Sequence, residues 1–231
     1  ASRTSLFALV AATEALTDAQ LPVTSEPRPW ALVMGSGAAG LFETEGFVAR
    51  RLRKGPRAHG LTEFLELFQD APTDQVARRF GLAGPRLTIS TACSSSTIAV
   101  GMAAEMITDG MTPVALAGGT DAISRLVYAG FNSLRAVDPN PCRPFDRNRQ
   151  GLTMGEGAAM LVLEDADHAR ARGARPYARI LGYGATNDAF HMTQPDPSGA
   201  AWTRTIEAAL AAAGLRADAI DYINAHGTAT E

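Results

Sequence analysis

The residue whose surroundings most directly suggest chemistry is a cysteine in a turn of small residues. Cys93 lies in TACSSS, residues 91–96, after a strand-like segment and before a helix-like one. A thiol at the start of a helix faces unpaired backbone N–H groups and the positive end of the helix dipole, which favours the thiolate. The same N–H groups can hold an oxyanion on a substrate carbonyl. Because most free cysteines are small buried hydrophobes, the local pattern supports a nucleophile and an inert core residue about equally.

A histidine near the end of the sequence is the second candidate. His226 lies in NAHGTAT, residues 224–230, where a strand-like run ends and Gly227 follows. Glycine lets the backbone approach a ligand closely, and an acyl-transfer cysteine needs a partner that accepts or donates a proton. A lone histidine at a strand end is more often a structural residue. The sequence separation of Cys93 and His226 gives no information about their distance in space.

The composition limits the kind of protein that can position these residues. Hydrophobic residues make up 46% of the 231 residues and charged residues 19%, which provides a sizeable core and excludes intrinsic disorder. The apolar runs are too short for a membrane span. The net charge of −3 gives no basic field, so we expect no nucleic-acid partner. Two cysteines form no disulfide framework, and we expect a cytoplasmic protein.

Short segments with strand-like and helix-like apolar patterns alternate along the chain, which predicts alternating strands and helices. Continuous apolar runs that end near glycine are typical of buried strands, whereas apolar residues three and four apart predict amphipathic helices. The predicted strands cover residues 30–34, 86–90, 113–117, 158–163, 177–183 and 221–224. The predicted helices cover residues 4–21, 41–53, 61–69, 93–109, 165–172 and 200–213. This alternation predicts an α/β protein whose sheets are covered on both faces.

An irregular stretch from residue 136 to residue 155 is the expected junction between two α/β halves. We expect an N-terminal half over residues 1–150, which carries the cysteine, and the start of a C-terminal half over residues 151–231, which carries the histidine. The sequence begins at Ala1 without an initiator methionine and stops directly after a motif. We therefore expect it to be a piece of a longer protein.

The sequence resembles one enzyme family along essentially its whole length. Five motifs stand in the order found in the β-ketoacyl-acyl-carrier-protein synthases: TACSSS (91–96), AGGTD (117–121), GEGAAMLVLED (155–165), DAFHMT (188–193) and NAHGTAT (224–230). The resemblance implies the thiolase-like fold, in which two similar α/β halves stack as layers of helix and sheet, the second half being incomplete here. It also implies decarboxylative Claisen condensation of carrier-protein thioesters, in fatty-acid or type II polyketide biosynthesis.

The resemblance also assigns roles to individual residues. It implies that Cys93 takes the growing acyl chain as a thioester, and that His226 helps to decarboxylate the malonyl extender and stabilises the enolate. The further implied substrate contacts are Thr228 and Thr230 on the phosphopantetheine arm, Phe131 and Ala38 along the acyl pocket, and Asp188 near the loops that gate the site. Taken alone, the threonines are equally typical of ordinary turns, and the phenylalanine is equally typical of a core residue.

Basic residues indicate where an acidic acyl carrier protein would dock. The run RRLRKGPR, residues 50–57, places five positive charges in eight residues, and opposite charge raises the rate of association. The resemblance implies carrier-protein contacts for Arg53, Lys54, Arg57 and Arg135, with substrates on the phosphopantetheine arm and no bound cofactor or metal. A solvated helix end explains the basic run equally well. The resemblance further implies a homodimer, or a heterodimer with a chain-length-setting subunit, formed through the strand at residues 86–90.

Other functions stay open at this point. The family's second catalytic histidine, a nearby lysine and a glycine-rich phenylalanine loop follow the NAHGTAT motif in its members, and His59, His168 and His191 do not replace that histidine. A non-catalytic chain-length partner is disfavoured by the cysteine, and a coenzyme A-dependent thiolase is disfavoured by the HGT and AGGTD motifs. GSGAAG, residues 35–40, matches the dinucleotide pattern G-x-G-x-x-G, but the supporting acidic residue is missing.

Overall fold

The computed structural model of the protein describes residues 1–55 and 60–230, apart from the side chain of Thr62. The described residues form two compact units. The first comprises Ala1–Arg172 together with the segment that starts at His226, and the second comprises Gly173–Ala225. The first unit contains a sheet with helices on both of its faces, and the second is built around one long helix.

A four-stranded sheet forms the centre of the first unit. Its strands are β1 (Ala31–Gly35), β2 (Arg86–Ile89), β3 (Val114–Asp121) and β4 (Gly157–Glu164), in the spatial order β2-β1-β3-β4. β1 runs parallel to β2 and β3, whereas β4 runs antiparallel to β3. In this register Gly35 pairs with both Ile89 and Gly119. The carboxyl ends of the three parallel strands therefore meet at one edge of the sheet, where ligand sites of α/β folds are commonly found.

Eight helices belong to the described residues: α1 (Arg3–Asp18), α2 (Leu41–Lys54), α3 (Leu61–Leu65), α4 (Ala71–Phe80), α5 (Ser95–Thr108), α6 (Arg125–Ser133), α7 (Ala166–Ala171) and α8 (Ala200–Ala213). Single 3-10 turns occur at Ala92–Ser94 and Ala217–Ala219. α1 and α4 cover one face of the sheet and α5 covers the other, so β1 and β3 are buried on both sides. The predicted α/β class with a two-sided core is confirmed.

The two faces of the sheet are packed with side chains of different size. Leu16 and Phe80 are fully buried against Leu32 on the side of α1 and α4, and a large apolar side chain contributes roughly 1.5–3 kcal/mol when buried. On the other side, α5 contacts the sheet through small residues such as Ala99 and Ala103. The small residues let the axis of α5 approach the sheet closely, and the N-terminus of α5 is where the cysteine lies.

The second unit contains α8 and an extended segment packed along it. A Cβ atom on Gly184 would lie 2.5 Å from the Thr205 carbonyl oxygen, so only glycine fits between the segment and the helix there. The Thr186 hydroxyl donates a hydrogen bond of 3.1 Å to the carbonyl oxygen of Ala201. These contacts fix residues 182–186 against α8.

The structure corrects several predicted elements. The predicted strands at 177–183 and 221–224 are wrong: both segments lack strand structure, because a strand needs a neighbour to accept its hydrogen bonds and none pairs with them among the described residues. α4 and α6 were not predicted. The strand expected at 113–117 continues through two glycines to Asp121.

The first compact unit runs past the boundary expected at residue 150. β4 lies beyond that boundary and pairs with β3 along its whole length, which places it in the same sheet as the cysteine-bearing part. The division of the protein into two similar halves stays a prediction.

Candidate active site

Cys93 lies on the 3-10 turn between the end of β2 and the first residue of α5. Ala92 has a positive φ of 54°, which turns the chain sharply after the strand. The Ser95 hydroxyl accepts a hydrogen bond of 2.8 Å from the Thr91 N–H and donates one of 2.6 Å to the Ala92 carbonyl oxygen. The polar side chains thus hold the turn together, and the Cys93 side chain stays exposed. In the described structure Cys93 is not a buried core residue, and its role as a nucleophile stays a prediction.

Two glycines let the start of α5 lie directly against the carboxyl ends of β1 and β3. A Cβ atom on Gly35 would overlap the Ser95 carbonyl carbon, and one on Gly119 would overlap the Ser96 Oγ. A larger residue at Gly35 would overlap the backbone at the start of α5, and one at Gly119 would overlap the Ser96 side chain and the Gly35 carbonyl oxygen, so either change would disturb the packing of α5 on the sheet. Both glycines therefore have a defined role in placing the thiol.

The turn after β1 lies close to the cysteine turn. A Cβ atom on Gly37 would lie 3.4 Å from the Ala92 carbonyl oxygen, which is van der Waals contact. Ala38, which is predicted to shape the acyl pocket, is half-buried on the same turn. The structure therefore brings Ala38 to the segment next to Cys93.

The carboxylate of Asp121, a residue that the sequence analysis missed, holds the turn after β1. It accepts hydrogen bonds from the Ser36 hydroxyl at 2.6 Å, the Gly37 N–H at 3.1 Å and the Ala38 N–H at 2.7 Å. Two backbone donors of GSGAAG, the N–H groups of Gly37 and Ala38, are thus paired with a carboxylate and are not presented to a phosphate. In the sequence, Asp121 is the acidic end of the AGGTD motif, four residues after the predicted strand at 113–117.

His226 is exposed and opens a short turn that is docked on residues 149–152. The Gly151 N–H donates a hydrogen bond of 3.0 Å to the Ala229 carbonyl oxygen, and Arg149 Nε donates one of 2.9 Å to the Thr230 carbonyl oxygen. Ala229 is buried. The backbone after the histidine is therefore fixed, while the histidine itself is exposed.

The hydroxyl oxygens of Thr228 and Thr230 lie 2.7 Å apart, and both residues are half-buried. One hydroxyl donates to the other, which is a contact within the turn itself. Gly227, just before them, has a φ of 59°, in the left-handed region that favours glycine. Contacts of the threonines with a phosphopantetheine arm stay a prediction.

The structure leaves the pocket role of Phe131 untested. Phe131 is half-buried on α6, and its carbonyl oxygen accepts a 3.1 Å hydrogen bond from the Ala136 N–H at the end of that helix. A cleft of about 280 Å³ between α2 and α6 is lined by Phe42, Glu45, Ile123, Ser124, Arg125 and Tyr128. Neither Phe131 nor Ala38 lines this cleft, and their place in an acyl pocket stays a prediction.

Asp188 organises a loop of the second unit. Its carboxylate accepts hydrogen bonds from the backbone N–H groups of Asp196 at 3.0 Å and Phe190 at 3.1 Å. These bonds hold the pKa of the Asp188 carboxyl below its usual range, so the group is ionised at neutral pH. His191 lies between the two bonded residues. A gating role for this loop stays a prediction.

The basic residues expected at a carrier-protein contact are exposed where the structure describes them. Arg53 and Lys54 end α2, and Arg135 follows α6. Arg53 Nε donates a 3.2 Å hydrogen bond to the Ala49 carbonyl oxygen of its own helix. Arg57 lies outside the described residues, as does His59.

Across residues 1–55 and 60–230, no group of three or more His, Cys, Asp and Glu side chains is arranged to hold a metal ion. Within the same ranges, no helix combines the length and the apolar character that crossing a membrane requires.

Family models match nearly the whole chain. Residues 1–169 match the model described as "Beta-ketoacyl synthase, N-terminal domain", and residues 177–231 match "Beta-ketoacyl synthase, C-terminal domain". A 3-oxoacyl-[acyl-carrier-protein] synthase 2 from Staphylococcus aureus is 39% identical over 97% of this chain and 57% of its own length. The enzyme of the same name from Rhizobium meliloti (strain 1021) is 42% identical over 97% of this chain and 56% of its own length. The chain thus spans somewhat more than half the length of these relatives.

Solved structures match the fold closely. The ishigamide ketosynthase/chain length factor superposes with a TM-score of 0.93 at 34% identity, over 100% of this chain and 57% of the other. A type II PKS acyl-carrier protein in complex with its ketosynthase bound to the hexaketide gives a TM-score of 0.92 at 29% identity, over 99% of this chain and 59% of that chain. The predicted thiolase-like fold is confirmed.

Proposed function

The chain belongs to the β-ketoacyl synthase family, and from this premise we propose that the protein containing it is a β-ketoacyl-acyl-carrier-protein synthase. The observation that carries the proposal is the exposed Cys93 on the turn that leads into α5, packed against two sheet-end glycines. A thiol so placed is exposed and stands two residues before the first residue of α5, close to the N–H groups of a helix start that acyl transfer can use.

The first half of the proposed reaction loads the acyl chain. The Cys93 sulfur attacks the thioester carbonyl of an acyl carrier protein, a new carbon–sulfur bond forms, and the carrier thiol leaves with the proton that Cys93 gave up. Negative charge develops on the carbonyl oxygen in the transition state. N–H groups at the start of α5 are suited to stabilise it, because the first N–H groups of a helix have no partner within the helix.

The second half of the proposed reaction uses the malonyl extender. Its carboxylate leaves as carbon dioxide, and the electron pair of the broken carbon–carbon bond forms an enolate that the His226 imidazole stabilises by hydrogen bonding. The enolate carbon then attacks the acyl-Cys93 carbonyl, a carbon–carbon bond forms, and the cysteine thiolate is released. The β-ketoacyl product stays on the carrier protein. Both residues belong to the first compact unit.

The proposed partner is an acyl carrier protein, which presents substrates on its phosphopantetheine arm without a separate cofactor. Arg53, Lys54 and Arg135 are exposed and positive, as an acidic carrier requires. Thr228 and Thr230 are the proposed contacts of the arm. One matched structure contains such a carrier protein with its ketosynthase, which supports this partner.

A dimer is part of the proposal. β2 is an edge strand of the described sheet and is only four residues long, with apolar residues at Leu87 and Ile89 and no proline, so its edge offers pairing to a second subunit. The subunit is either a second copy or a chain-length-setting relative. Since both cysteines are free thiols, we also propose a cytoplasmic location.

The competing function is a non-catalytic chain-length subunit, because one matched structure contains a chain length factor. An exposed cysteine at the helix start favours the catalytic role over this one. The curated relatives point to fatty-acid synthesis and the type II polyketide ketosynthase points to polyketide synthesis, and the proposed chemistry is the same in both.

The test is acylation of the full-length protein with an acyl-carrier thioester, followed by mass spectrometry of its peptides. Cys93 and Cys142 are both exposed, so the second thiol is a built-in control for simple accessibility. We expect the adduct on Cys93 and none after Cys93→Gln. Condensation with malonyl-carrier protein should then give a β-ketoacyl product that the variant does not form. Acylation of Cys142 alone, or of neither thiol, would overturn the proposal.

A further inference from the structure

The turn that carries His226 is held through two main-chain carbonyl groups. The Ala229 carbonyl oxygen accepts from the Gly151 N–H at 3.0 Å, and the Thr230 carbonyl oxygen accepts from Arg149 Nε at 2.9 Å. Ala229 is 4% exposed and has a φ of 61°, an uncommon conformation for a residue other than glycine. Such a conformation persists where surrounding contacts enforce it.

The segment that holds this turn is itself braced from the other side. The Leu152 N–H donates a 2.8 Å hydrogen bond to the Ala136 carbonyl oxygen, and the Asp138 N–H donates one of 3.0 Å to the Leu152 carbonyl oxygen. A Cβ atom on Gly151 would lie 2.6 Å from the same Ala136 oxygen, so the backbone there is in close contact. Residues 149–152 therefore form a supported platform between the end of α6 and the histidine turn.

Arg149 is the side chain that links this platform to the end of the histidine turn. Its second contact is with its own loop: Nη1 donates a 3.2 Å hydrogen bond to the Asp146 carbonyl oxygen. The guanidinium is half-buried and bridges two main-chain carbonyl groups. A planar group with several fixed donors is well suited to hold two backbone segments in one orientation.

We infer that Arg149 is a positioning residue for His226, an inference that rests on the proposed function of that histidine. Fixing the Thr230 carbonyl sets the path of the turn and, through the short link of residues 227–229, the direction of the imidazole. A displacement of about 1 Å in a reacting group can lower a rate by roughly 100-fold. Arg149 would thus influence the malonyl half of the reaction without touching the substrate.

The test is a double-mutant cycle in the full-length protein. Decarboxylation of malonyl-carrier protein is measured for the parent, Arg149→Ala, His226→Ala and the double variant, beside acylation of Cys93 as a second readout. We expect Arg149→Ala to lower decarboxylation about 10- to 100-fold, with Cys93 acylation near the parent rate. In the His226→Ala background, Arg149→Ala should lower the decarboxylation rate by less than about a further twofold, because the histidine through which the arginine acts is absent.

Two further variants serve as controls for the effect of Arg149→Ala. Arg149→Lys keeps one donor and should recover part of the lost rate, whereas Arg147→Ala removes an exposed arginine of the same loop and should leave the rate unchanged. Hydrogen exchange supplies a readout that does not depend on activity: Arg149→Ala should raise exchange within residues 149–152 and 226–230 while α5 stays protected. Unchanged exchange there would overturn the inference.

The outcomes separate this inference from the function on which it rests. Unchanged decarboxylation in Arg149→Ala, an equal loss in both backgrounds, or a parallel loss of Cys93 acylation would each overturn the positioning role. If His226→Ala itself decarboxylates at the parent rate, the proposed role of the histidine fails, and the positioning role fails with it.

Discussion

The Ser36 hydroxyl donates a 2.6 Å hydrogen bond to the carboxylate of Asp121, a residue 85 positions later in the chain. The bond joins the turn after β1 to the end of β3, where the two parallel strands lie side by side. The same carboxylate accepts the N–H groups of Gly37 and Ala38. A Cβ atom on Gly37 would lie 3.4 Å from the Ala92 carbonyl oxygen, so a carboxylate that is distant in sequence fixes the turn that lies beside the cysteine turn.

We expect Asp121→Asn to weaken this arrangement. An amide has one acceptor oxygen, and its NH₂ group would face backbone N–H donors, so at least one of the three bonds is lost. The free energy of unfolding should fall by about 1–3 kcal/mol, the usual effect of leaving a donor without its partner. Urea unfolding is the measurement. Asp109→Asn, at the exposed end of α5, is the control and should change stability by less than about 0.5 kcal/mol. Equal stability of the two variants would contradict the prediction.

The stability of the first unit should depend on the ionisation of Glu164, at the end of β4. Burial raises the pKa of its carboxyl, but hydrogen bonds from Arg172 Nε at 2.8 Å and His168 Nδ1 at 2.9 Å outweigh burial, and the pKa lies below its ordinary value. A lowered folded-state pKa contributes stability above the ordinary value of 4.5 that is lost as the pH falls through the folded-state pKa.

Glu164→Gln should therefore lower the free energy of unfolding by about 1–3 kcal/mol at neutral pH. The difference from the parent protein should shrink as the pH falls below 4.5, because protonation removes the same charge from the parent. Denaturant unfolding at a series of pH values measures both effects. Asp167→Asn is a matched control on α7, since the pair of Asp167 with Arg170 is largely exposed and contributes little. A difference that does not change with pH would show that the charge is not its source.

The sequence predicts those elements whose apolar residues repeat locally. β1, α2, α5 and α8 lie within two residues of their predicted bounds. α6 was missed because its start depends on distant partners: Ser124 caps it at its own N-terminus, but the Glu45 carboxylate from α2 accepts the Leu126 N–H. α4 does carry local signals of a helix in the sequence, Pro72 in its first turn and Gly81 at its end.

The candidate site was predictable only to the level of its two turns. Cys93 and His226 stand in local patterns of small residues, and those patterns are visible in the sequence alone. Asp121 and Arg149 act through hydrogen bonds to residues more than 80 positions away, and no local period encodes such a contact. The role of either residue follows only from the strand register and the docking of the loops, which the sequence alone does not give.

The edge position of β2 leads to a prediction about the dimer. The carbonyl oxygens of Pro85 and Ile89 accept hydrogen bonds from the Leu32 and Ser36 N–H groups of the β1 side. In a parallel ladder alternate residues point to opposite sides, so the Thr88 N–H faces away from β1. It is available to the edge of a second subunit.

Thr88→Pro should consequently disrupt the dimer and leave the β1–β2 pairing in place, because proline is tolerated on an edge strand where its missing N–H is not used internally. Thr88→Ala is the control: it also removes the hydroxyl that lies 2.7 Å from the Thr73 hydroxyl, but it keeps the backbone donor. On a sizing column we expect a dimer for the parent and the alanine variant and a monomer for the proline variant. A dimer in all three would place the interface elsewhere.

The size of residue 38 should set the length of acyl chain that the protein accepts. Ala38 is half-buried on the turn that Asp121 holds beside the cysteine turn, so added side-chain volume there would project from a fixed backbone near the loaded thiol. Its N–H bond to Asp121 is a main-chain contact that a larger side chain leaves in place.

We expect Ala38→Ile and Ala38→Phe to discriminate progressively against long acyl chains, because each methylene that a pocket cannot accommodate changes selectivity by roughly 1–3 kcal/mol, or about 10- to 200-fold. Acetyl transfer to Cys93 should stay near the parent rate, since a two-carbon chain does not reach the added bulk. Acylation rates with carrier-bound chains of increasing length, followed by mass spectrometry of the cysteine peptide, measure the cut-off. Ala38→Ser is the matched control, with almost no change in volume. If Ala38→Phe accepts long chains as readily as the parent does, residue 38 does not border the path of the acyl chain.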